Sequence, residues 1–371
     1  MNTKLKQIEH ILTKIKSKYN HIWNEKCKTS DVLPNVLPPV ERIIVIGDIH
    51  GDMNVLLECL EKANVINTKI YNNTKKYNDI KWIGNDTVIV QVGDQIDSCR
   101  FDGINNCNEK QHYEPGQAYD MIDEANDIEI LLFMTKLHKL AQKDGGAVYS
   151  LLGNHELMNA QGNMSYVSYN NIQILNNYKT TDGSIIKDGF EARKKLFSPG
   201  NDIANFLACT RSVVLVIGSN LFVHAGVLQY ITTKYKDIKD INILFRLFLL
   251  DEIQKPQVFK DLFGSNETSP LWTRVFGMTN SFTTREKCDE LMNPLYEQYK
   301  IGKIFVGHTP QLTTGIISTC QDRIWLTDAG MPIAFNKFDQ VHKMSNGLEK
   351  SQARQAQVLE ILNDNTIRVI N

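Results

Sequence analysis

Short apolar runs alternate along the chain with longer segments in which apolar residues recur at helical spacing. The runs at 42–46, 87–92 and 147–152 are bounded by polar or glycine-containing segments, a pattern that predicts buried strands. Between them, residues 53–63 show helical spacing, and residues 119–142 carry acidic side chains early and lysines late, which favours a helix. Strands that alternate with helices predict a mostly parallel sheet, with the carboxyl ends of its strands at one edge.

A second group of apolar runs follows in the C-terminal half of the chain. Residues 212–217 and 221–224 flank Gly218-Ser219-Asn220, and this turn sequence predicts a hairpin. Further strands are predicted at 303–307, 323–327, 356–361 and 366–370. We expect this second group to form another sheet that packs on the first.

The N-terminal 28 residues combine apolar positions at helical spacing with seven lysines and two glutamates. This pattern predicts a basic amphipathic helix that packs on the rest of the protein. A helix that binds a membrane surface or a partner is the alternative. Pro34, Pro38 and Pro39 interrupt any helix that reaches them and indicate a linker.

These patterns divide the chain into two parts. We predict that residues 1–40 form a basic helical extension with a proline-containing linker, and that residues 41–371 form the main domain. Polar stretches near 66–86, 98–117 and 160–190 are predicted to be surface insertions in that domain.

The overall composition excludes several classes of protein. The chain has 371 residues, of which 42% are hydrophobic and 22% charged, as in ordinary globular proteins. Its formal net charge of −1 gives no reason to expect nucleic-acid binding. No apolar run approaches the roughly 20 residues of a membrane span. The N-terminus has no apolar signal core, so we expect a reducing, cytoplasmic setting.

The seven cysteines are widely scattered, and we expect them to form no disulfide framework. Cys99 and Cys107 flank one polar loop. We interpret them as two free thiols, with a redox-sensitive pair as the alternative.

Five short segments place metal-binding residue types beside glycine or alanine. They are Gly47-Asp48-Ile49-His50, Gly93-Asp94-Gln95-Ile96-Asp97, Gly153-Asn154-His155-Glu156, Val223-His224-Ala225-Gly226 and Val306-Gly307-His308-Thr309. Three of the segments directly follow the strands of the first group. Their polar side chains therefore meet at the carboxyl edge of the predicted sheet.

The residue types in these segments suit a pair of divalent cations, for which carboxylate, imidazole and neutral oxygen ligands are appropriate. Asp48 and His50 lie two positions apart on a turn and can face one ion, while Asp94 can bridge two ions through its two oxygens. The six candidate ligands are Asp48, His50, Asp94, Asn154, His224 and His308. A metal pair neutralises phosphate charge and activates water to hydroxide, which is what hydrolysis of a phosphate ester requires.

His155 follows the candidate ligand Asn154 and would point past the metals towards a leaving group. A protonated histidine can donate its proton to a departing alkoxide. Asp97 would pair with it and favour its protonated form.

At these residues the chain resembles the metallophosphoesterase, or calcineurin-like, superfamily. All five motifs occur here in the order that this superfamily has, over roughly residues 42–332. Within it the chain resembles the phosphoprotein phosphatases of the Shewanella-like branch. The segments that carry this narrower resemblance are 151–159, 269–274, 306–311 and 328–331.

The resemblance implies an α/β metallophosphoesterase fold, in which a central β-sandwich is flanked by helices (α/β/β/α). It implies Asp48, His50 and Asp94 at one metal. It also implies Asp94, Asn154, His224 and His308 at the other metal. His155 with Asp97 would be the general-acid pair, and Arg274 would bind substrate phosphate.

The chain departs from the family pattern after Asp97, where Ser98 stands in place of the usual arginine. Arg100 lies two residues further on and is our candidate for the missing phosphate contact. Arg193 and Arg211 are further candidates that no motif supports. A serine hydroxyl donates one hydrogen bond, whereas a guanidinium offers a bidentate fork.

The leading hypothesis is a metal-dependent phosphomonoesterase that acts on a phosphorylated protein (Ser/Thr or Tyr) or a small phosphate ester. Its cofactors would be two divalent ions of Mn, Fe or Zn. A dinucleoside polyphosphate hydrolase or phosphodiesterase is the alternative, and the serine at position 98 gives it some weight. A catalytically inactive scaffold is the third hypothesis, and the retained metal ligands argue against it.

Overall fold

The computed structural model describes residues 2–28, 30, 32–100, 106–110, 124–253, 256–265, 267–336, 338–339 and 351–371. The α-helices are α1 (Asn2–Lys26), α2 (Met53–Lys62), α3 (Lys69–Thr74), α4 (Asp127–Ala141), α5 (Asn154–Ala160), α6 (Tyr169–Gln173), α7 (Gly189–Phe197), α8 (Asp202–Thr210), α9 (Gln229–Lys234), α10 (Ile238–Leu249), α11 (Lys260–Phe263) and α12 (Arg285–Tyr299). Short 3-10 helices lie at Tyr77–Asp79, Gln142–Asp144, Pro256–Phe259, Ile333–Phe335 and Gln352–Arg354.

The strands are mostly short. They are β1 (Val36–Leu37), β2 (Arg42–Ile46), β3 (Ile66–Asn67), β4 (Lys81–Trp82), β5 (Val88–Gln91), β6 (Ala147–Leu151), β7 (Tyr178–Lys179), β8 (Ile185–Ile186), β9 (Arg211–Ser212), β10 (Val214–Ile217), β11 (Asn220–Val223), β12 (Lys303–Val306), β13 (Ile317–Thr319), β14 (Ile324–Leu326), β15 (Val358–Leu362) and β16 (Thr366–Ile370).

Two six-stranded sheets form the centre of the fold. The first has the order β16-β15-β2-β5-β6-β9, with β2, β5, β6 and β9 parallel to one another. The second has the order β1-β10-β11-β12-β14-β13, in which β11, β12 and β14 are parallel. The parallel strands therefore deliver their carboxyl ends to one edge of each sheet.

The two faces of the second sheet contribute to different parts of the core. Leu215, Phe222 and Phe305 pack with the strands of the first sheet and with α2 and α4. Their neighbours Val216 and Leu221 pack with helices that include α8, α10 and α12. This alternation follows from the two-residue period of a strand. It produces the α/β/β/α sandwich that the family resemblance implies, so the predicted fold class is confirmed.

The predicted assignment of the last two strands is wrong. Strands β15 and β16 do not join the second sheet, because β15 pairs antiparallel with β2 at the edge of the first. Arg42 of β2 donates to Glu360 of β15 at 2.7 Å, and Arg368 of β16 also pairs with Glu360. Apolar patterning predicts that a segment is a strand, but it does not specify the sheet edge that the strand joins.

The predicted helix at 119–142 is described only from Asp127, because residues 111–123 lie outside the described part. The polar stretch at 66–86 contains β3, α3 and β4, and its Ile80 and Trp82 are buried. The stretch at 160–190 contains α6 and the β7–β8 hairpin. Of the stretch at 98–117, only residues 98–100 and 106–110 are described.

Helix α1 packs on the helical layer beside the second sheet. Its Tyr19 and Trp23 are buried, and Arg246 of α10 donates to the Tyr19 hydroxyl and stacks on the Trp23 ring. Lys16 forms an ion pair with Asp240, also on α10. None of the described helices combines the length and the apolar character that a membrane crossing requires.

The expectation of free thiols is wrong. Six cysteines form the pairs Cys27–Cys209, Cys99–Cys107 and Cys288–Cys320, and Cys59 remains as a buried thiol. Two of these pairs join positions 182 and 32 residues apart, a proximity that only the tertiary fold creates. Because disulfides persist in oxidising compartments, the pairs count against the reducing setting that we expected.

We predict that the denatured, unreduced protein will show one thiol per chain, that of Cys59, and that reduction will expose seven. Titration with a chromogenic thiol reagent in guanidinium measures both numbers. A Cys59→Ala variant is the matched control and should leave no thiol before reduction. Seven thiols without reductant would contradict the pairing.

Candidate metal centre and active site

The candidate ligands lie just beyond the carboxyl ends of parallel strands. Strands β2, β5 and β6 of the first sheet lead to Asp48, Asp94 and Asn154. Strands β11 and β12 of the second sheet lead to His224 and His308. Because the two sheets end at one edge of the sandwich, residues about 260 positions apart become neighbours, and the His308 amide donates to the Asp48 carboxylate at 3.1 Å.

Several site residues have a left-handed backbone conformation. The φ angles are 44° at His50, 53° at Asp94, 72° at Asp97 and 65° at His308. Such conformations are uncommon for residues other than glycine and concentrate at functional sites, where the surrounding structure compensates their cost. Here they occur in the loops that follow β2, β5 and β12.

The glycines in the motifs have a steric role. A Cβ added at Gly153 would collide with the carboxylate of Asp94, and one added at Gly307 would collide with that of Asp48. Both positions therefore admit only glycine while the neighbouring carboxylate keeps its place. This close approach explains why a small residue accompanies the candidate ligands in sequence.

Backbone carbonyl groups orient the histidines. His50 Nδ1 lies 3.2 Å from the Ile96 carbonyl oxygen, and His224 Nδ1 lies 2.9 Å from that of Val92. A protonated Nδ1 that donates to a carbonyl leaves Nε2 as the metal-binding nitrogen. His308 is reversed, because its Nε2 lies 3.1 Å from a carbonyl oxygen and Nδ1 is left to bind.

Among the residues that the structure describes, two groups of donor atoms lie close enough to hold an ion. One group contains His50, Asp94 and His155, the other contains Asp94, His224 and His308, and the atoms of each lie within 4.8 Å of one another. Asp94 belongs to both groups. Its Oδ2 is 3.3 Å from His224 Nε2 and 3.8 Å from Nε2 of both His50 and His155.

The two remaining candidate ligands border these groups. Asp48 Oδ2 lies 3.8 Å from His50 Nε2, and Asn154 Oδ1 lies 2.9 Å from His224 Nε2. The structure thus brings all six candidate ligands together. It adds His155 to the donor atoms near His50, a position at which the sequence indicated an acid rather than a ligand.

Buried negative charge surrounds the site. Burial and the nearby carboxylates of Asp328 and Asp94 raise the pKa of Asp48 well above its usual value. Burial raises the pKa of Asp328 to about 6. Within the described residues, Asp328 Oδ2 has no hydrogen-bond partner although it is buried. Carboxylates held together out of water need cations nearby, so this donor set fits divalent metal ions.

The pKa directions of Asp94 and His308 favour the metal-binding forms of these two side chains, whereas the carboxylate of Asp94 raises the pKa of His224. Burial alone would raise the pKa of Asp94, but the imidazoles of His224, His155 and His50 bring it well below its usual value. Burial, His224 and Arg274 lower the pKa of His308 to about 2. An ionised carboxylate and a neutral imidazole are the forms in which these side chains bind metals.

Glu156 holds together the loop that carries Asp94. Its Oε2 accepts from the backbone amides of Gly153 at 2.6 Å and of Asp94 at 3.1 Å, and its Oε1 accepts from Gln95 at 2.7 Å. The contacts show that one carboxylate ties the start of α5 to the neighbouring loop.

His155 and Asp97 form the contact that the sequence predicted. His155 Nδ1 lies 2.8 Å from Asp97 Oδ2, and both side chains are buried. Asn159 donates to both Asp97 oxygens at 3.0 Å, and Arg193 Nη2 reaches Asp97 Oδ1 at 3.3 Å. The same Nη2 lies 2.8 Å from Asp127, at the start of α4. Asp97 is therefore held from three sides.

This network changes the interpretation of two arginines. Arg193 is fully buried behind Asp97, and Arg211 is buried against Gln95 and Leu131 O. Neither lies where a substrate phosphate could reach it. Asp127, which sequence analysis did not single out, completes the network; its position before an apolar helical pattern signalled only a helix N-terminus.

The other candidate phosphate contacts remain accessible. Arg274 is exposed, and its Nη1 donates to the His308 carbonyl at 2.8 Å. Arg100 is half-buried, and its Nη1 donates to the Asp97 carbonyl at 3.0 Å. One guanidinium is therefore anchored at His308 and the other at Asp97. The side chain of Ser98, by contrast, is buried.

Comparison with known proteins agrees with this geometry. The profile of the calcineurin-like phosphoesterase family matches residues 41–312. The chain therefore belongs to that family and is a hydrolase that acts on phosphate esters. Proteins of this family use divalent metal ions, and the two donor groups fit that chemistry.

Individual relatives extend the comparison. An uncharacterised protein of Acanthamoeba polyphaga mimivirus is 38% identical over 261 residues, 65% of this chain and 98% of the relative. Shewanella-like protein phosphatase 2 of Arabidopsis thaliana is 24% identical and covers 92% of this chain and 80% of its own length. Shewanella-like protein phosphatase 1 of Plasmodium berghei is 27% identical over 80% of this chain and 68% of its own length. The predicted resemblance to this branch is confirmed.

Solved structures resemble the fold as a whole. A cold-active protein tyrosine phosphatase aligns with a TM-score of 0.60 and 19% identity, over 91% of this chain and 81% of that one. The cold-active protein tyrosine phosphatase of a psychrophilic Shewanella species aligns with a TM-score of 0.57 and 18% identity, over 92% and 83%. These likenesses support the α/β/β/α architecture.

We predict that Arg193→Leu lowers the free energy of unfolding by about 3–5 kcal/mol, because it leaves Asp97 and Asp127 buried without their shared cation. Urea denaturation followed by circular dichroism measures the change. The exposed Arg285 supplies the matched control, since Arg285→Leu should cost less than about 0.5 kcal/mol. Equal stability of the two variants would show that the buried network is dispensable.

Proposed function

We propose that this protein hydrolyses phosphomonoesters and that its substrates are proteins phosphorylated on Ser/Thr or Tyr. The observation that carries the proposal is the sharing of Asp94 between two donor groups, with the His155–Asp97 pair directly beside them. Because Asp94 belongs to both groups, divalent cations held there would supply positive charge to the oxygens of a phosphomonoester.

In the proposed site, two divalent ions of Mn, Fe or Zn would be held by the six residues named from the sequence. They are Asp48, His50, Asp94, Asn154, His224 and His308. When bound, such ions polarise a phosphoryl group and lower the pKa of water. The protein fixes the ligands through Glu156, the backbone carbonyls behind the histidines, and the glycines beside the carboxylates.

His155 is proposed to give a proton to the departing oxygen of the substrate. Its Nδ1 faces Asp97, so its Nε2 is the nitrogen directed into the site. Asp97 keeps the ring in this orientation, while Asn159 and Arg193 keep Asp97 in place. Protonation of the leaving oxygen matters most when that oxygen is a poor leaving group, as in phosphoserine.

Arg274 and Arg100 are proposed to bind the phosphate oxygens from the two sides of the site. Arg274 is anchored at the His308 carbonyl and Arg100 at the Asp97 carbonyl, so the two guanidinium groups are attached at different residues of the site. A guanidinium binds phosphate in a bidentate manner, which fixes orientation as well as charge.

The preference for phosphoproteins is supported by the names of the relatives. Two are protein phosphatases of the Shewanella-like type, and the similar solved structures are protein tyrosine phosphatases. Hydrolysis of dinucleoside polyphosphates remains the competing proposal, since Ser98 replaces an arginine of the family motif. A panel of phosphopeptides and dinucleoside polyphosphates at equal concentration would separate the two proposals.

Hydrolysis of p-nitrophenyl phosphate by Mn²⁺-loaded protein should stop when a chelator is added and should be lost in Asp94→Asn. The amide removes the charge that both donor groups share. Asp86→Asn, a change on the surface, is the matched control and should keep full turnover. Chelator-resistant turnover, or an active Asp94→Asn variant, would contradict the proposed centre.

The effect of His155→Asn should depend on the leaving group. We expect kcat to fall by about 10²–10⁴-fold with an alkyl phosphate, and by clearly less with p-nitrophenyl phosphate, whose leaving group needs no proton. Metal content, measured on the same samples by inductively coupled plasma mass spectrometry, should stay at the wild-type level. Equal losses on both substrates, together with a loss of metal, would make His155 a ligand instead of an acid.

A further inference from the structure

Arg100 lies between two aromatic rings. Its Cζ atom is 4.8 Å from the centre of the Phe335 ring and 5.6 Å from that of Tyr166. Its Nη1 donates to the carbonyl groups of Asp97, at 3.0 Å, and Cys99, at 2.9 Å. Within the described residues, its Nε and Nη2 have no acceptor. The Nη1 side of the guanidinium is thus anchored, while Nε and Nη2 can donate hydrogen bonds to a ligand.

The same two rings contact the histidines of the site. The Tyr166 ring is 5.0 Å from His155, and the Phe335 ring is 5.6 Å from His50, both in edge-to-face geometry. The rings therefore hold Arg100 beside His50 and His155, the two histidines that form one donor group with Asp94. No motif of the sequence indicated Tyr166 or Phe335, because they lie in separate segments far from position 100.

A phosphate-binding arginine is effective only if its position is fixed. A free arginine loses considerable rotamer entropy when it binds, and a side chain that is already held does not. Aromatic faces attract a guanidinium through their quadrupole and restrict its plane. The two rings and the two carbonyl groups together supply this restriction for Arg100.

We propose that Phe335 and Tyr166 position Arg100 as the second phosphate-binding group, in place of the arginine that is absent at Ser98. This inference rests on the proposed phosphomonoesterase function. In it, Arg100 contacts the substrate phosphate, and the two aromatic residues act only through Arg100.

A double-mutant cycle on phosphate binding tests this proposal. The affinity of Mn²⁺-loaded protein for inorganic phosphate is measured by calorimetry for wild type, Arg100→Ala, Phe335→Leu and the double variant. We expect Arg100→Ala to weaken binding about 10–100-fold, as for loss of a charge-assisted hydrogen bond. Phe335→Leu should weaken it about three- to tenfold, and the double variant should bind no more weakly than Arg100→Ala alone.

Three further measurements exclude a merely structural effect. Phe335→Tyr, which keeps an aromatic face, should restore nearly wild-type affinity. Manganese content and melting temperature of each variant should match wild type, which excludes damage through His50. Tyr166→Leu provides a second route to the same result if Phe335→Leu fails to fold.

Additive effects of Arg100→Ala and Phe335→Leu would overturn the positioning role, and unchanged affinity in Arg100→Ala would overturn the whole proposal. Absence of phosphate binding by the metal-loaded wild type would also overturn it. Turnover of p-nitrophenyl phosphate by the wild type is scored separately. If the enzyme is active but its affinity for phosphate does not depend on Arg100, the proposed function stands. Only the positioning of Arg100 by Phe335 and Tyr166 is then rejected.

Discussion

The position of one buried carboxylate, that of Asp94, determines the arrangement of the whole site. It lies at the end of a central strand of the first sheet, within reach of histidines that come from both sheets. Glu156 fixes its backbone, and Gly153 leaves room for its side chain. The sandwich architecture serves this convergence, because only two sheets that end at one edge bring His50 and His224 to the same carboxylate.

The concentration of charge at this edge is what the surrounding structure has to compensate. Asp48, Asp94 and Asp328 are buried together, and the pKa directions of Asp48 and Asp328 show that their negative charge lacks a full set of partners. Behind the site, the buried carboxylates of Asp97 and Asp127 are instead neutralised within the protein, because both form ion pairs with Arg193. A charge satisfied within the protein orients other groups, whereas a charge left without a partner is suited to bind a cation.

Much of this arrangement could be predicted from the sequence, because strand, glycine and ligand are close together in each motif. The strands at 42–46 and 366–370 follow from apolar runs and the six candidate ligands from the motifs, while the His155–Asp97 contact joins two of those motifs across 58 positions. The rest depends on contacts between distant segments. The placement of β15, the pairing of Cys27 with Cys209, and the aromatic rings around Arg100 join residues that share no local pattern. The serine at position 98 made Arg100 a candidate for a phosphate contact, but only the fold shows that Arg100 is held beside the site by Phe335 and Tyr166.

The account rests on two cations that share Asp94, and anomalous diffraction tests this most directly. Crystals of the protein grown with Mn²⁺ would be measured near the manganese absorption edge. We predict two anomalous peaks per chain, one beside His50 and one between His224 and His308, with a carboxylate oxygen of Asp94 near both. A single peak, or two peaks of which only one touches Asp94, would contradict the account.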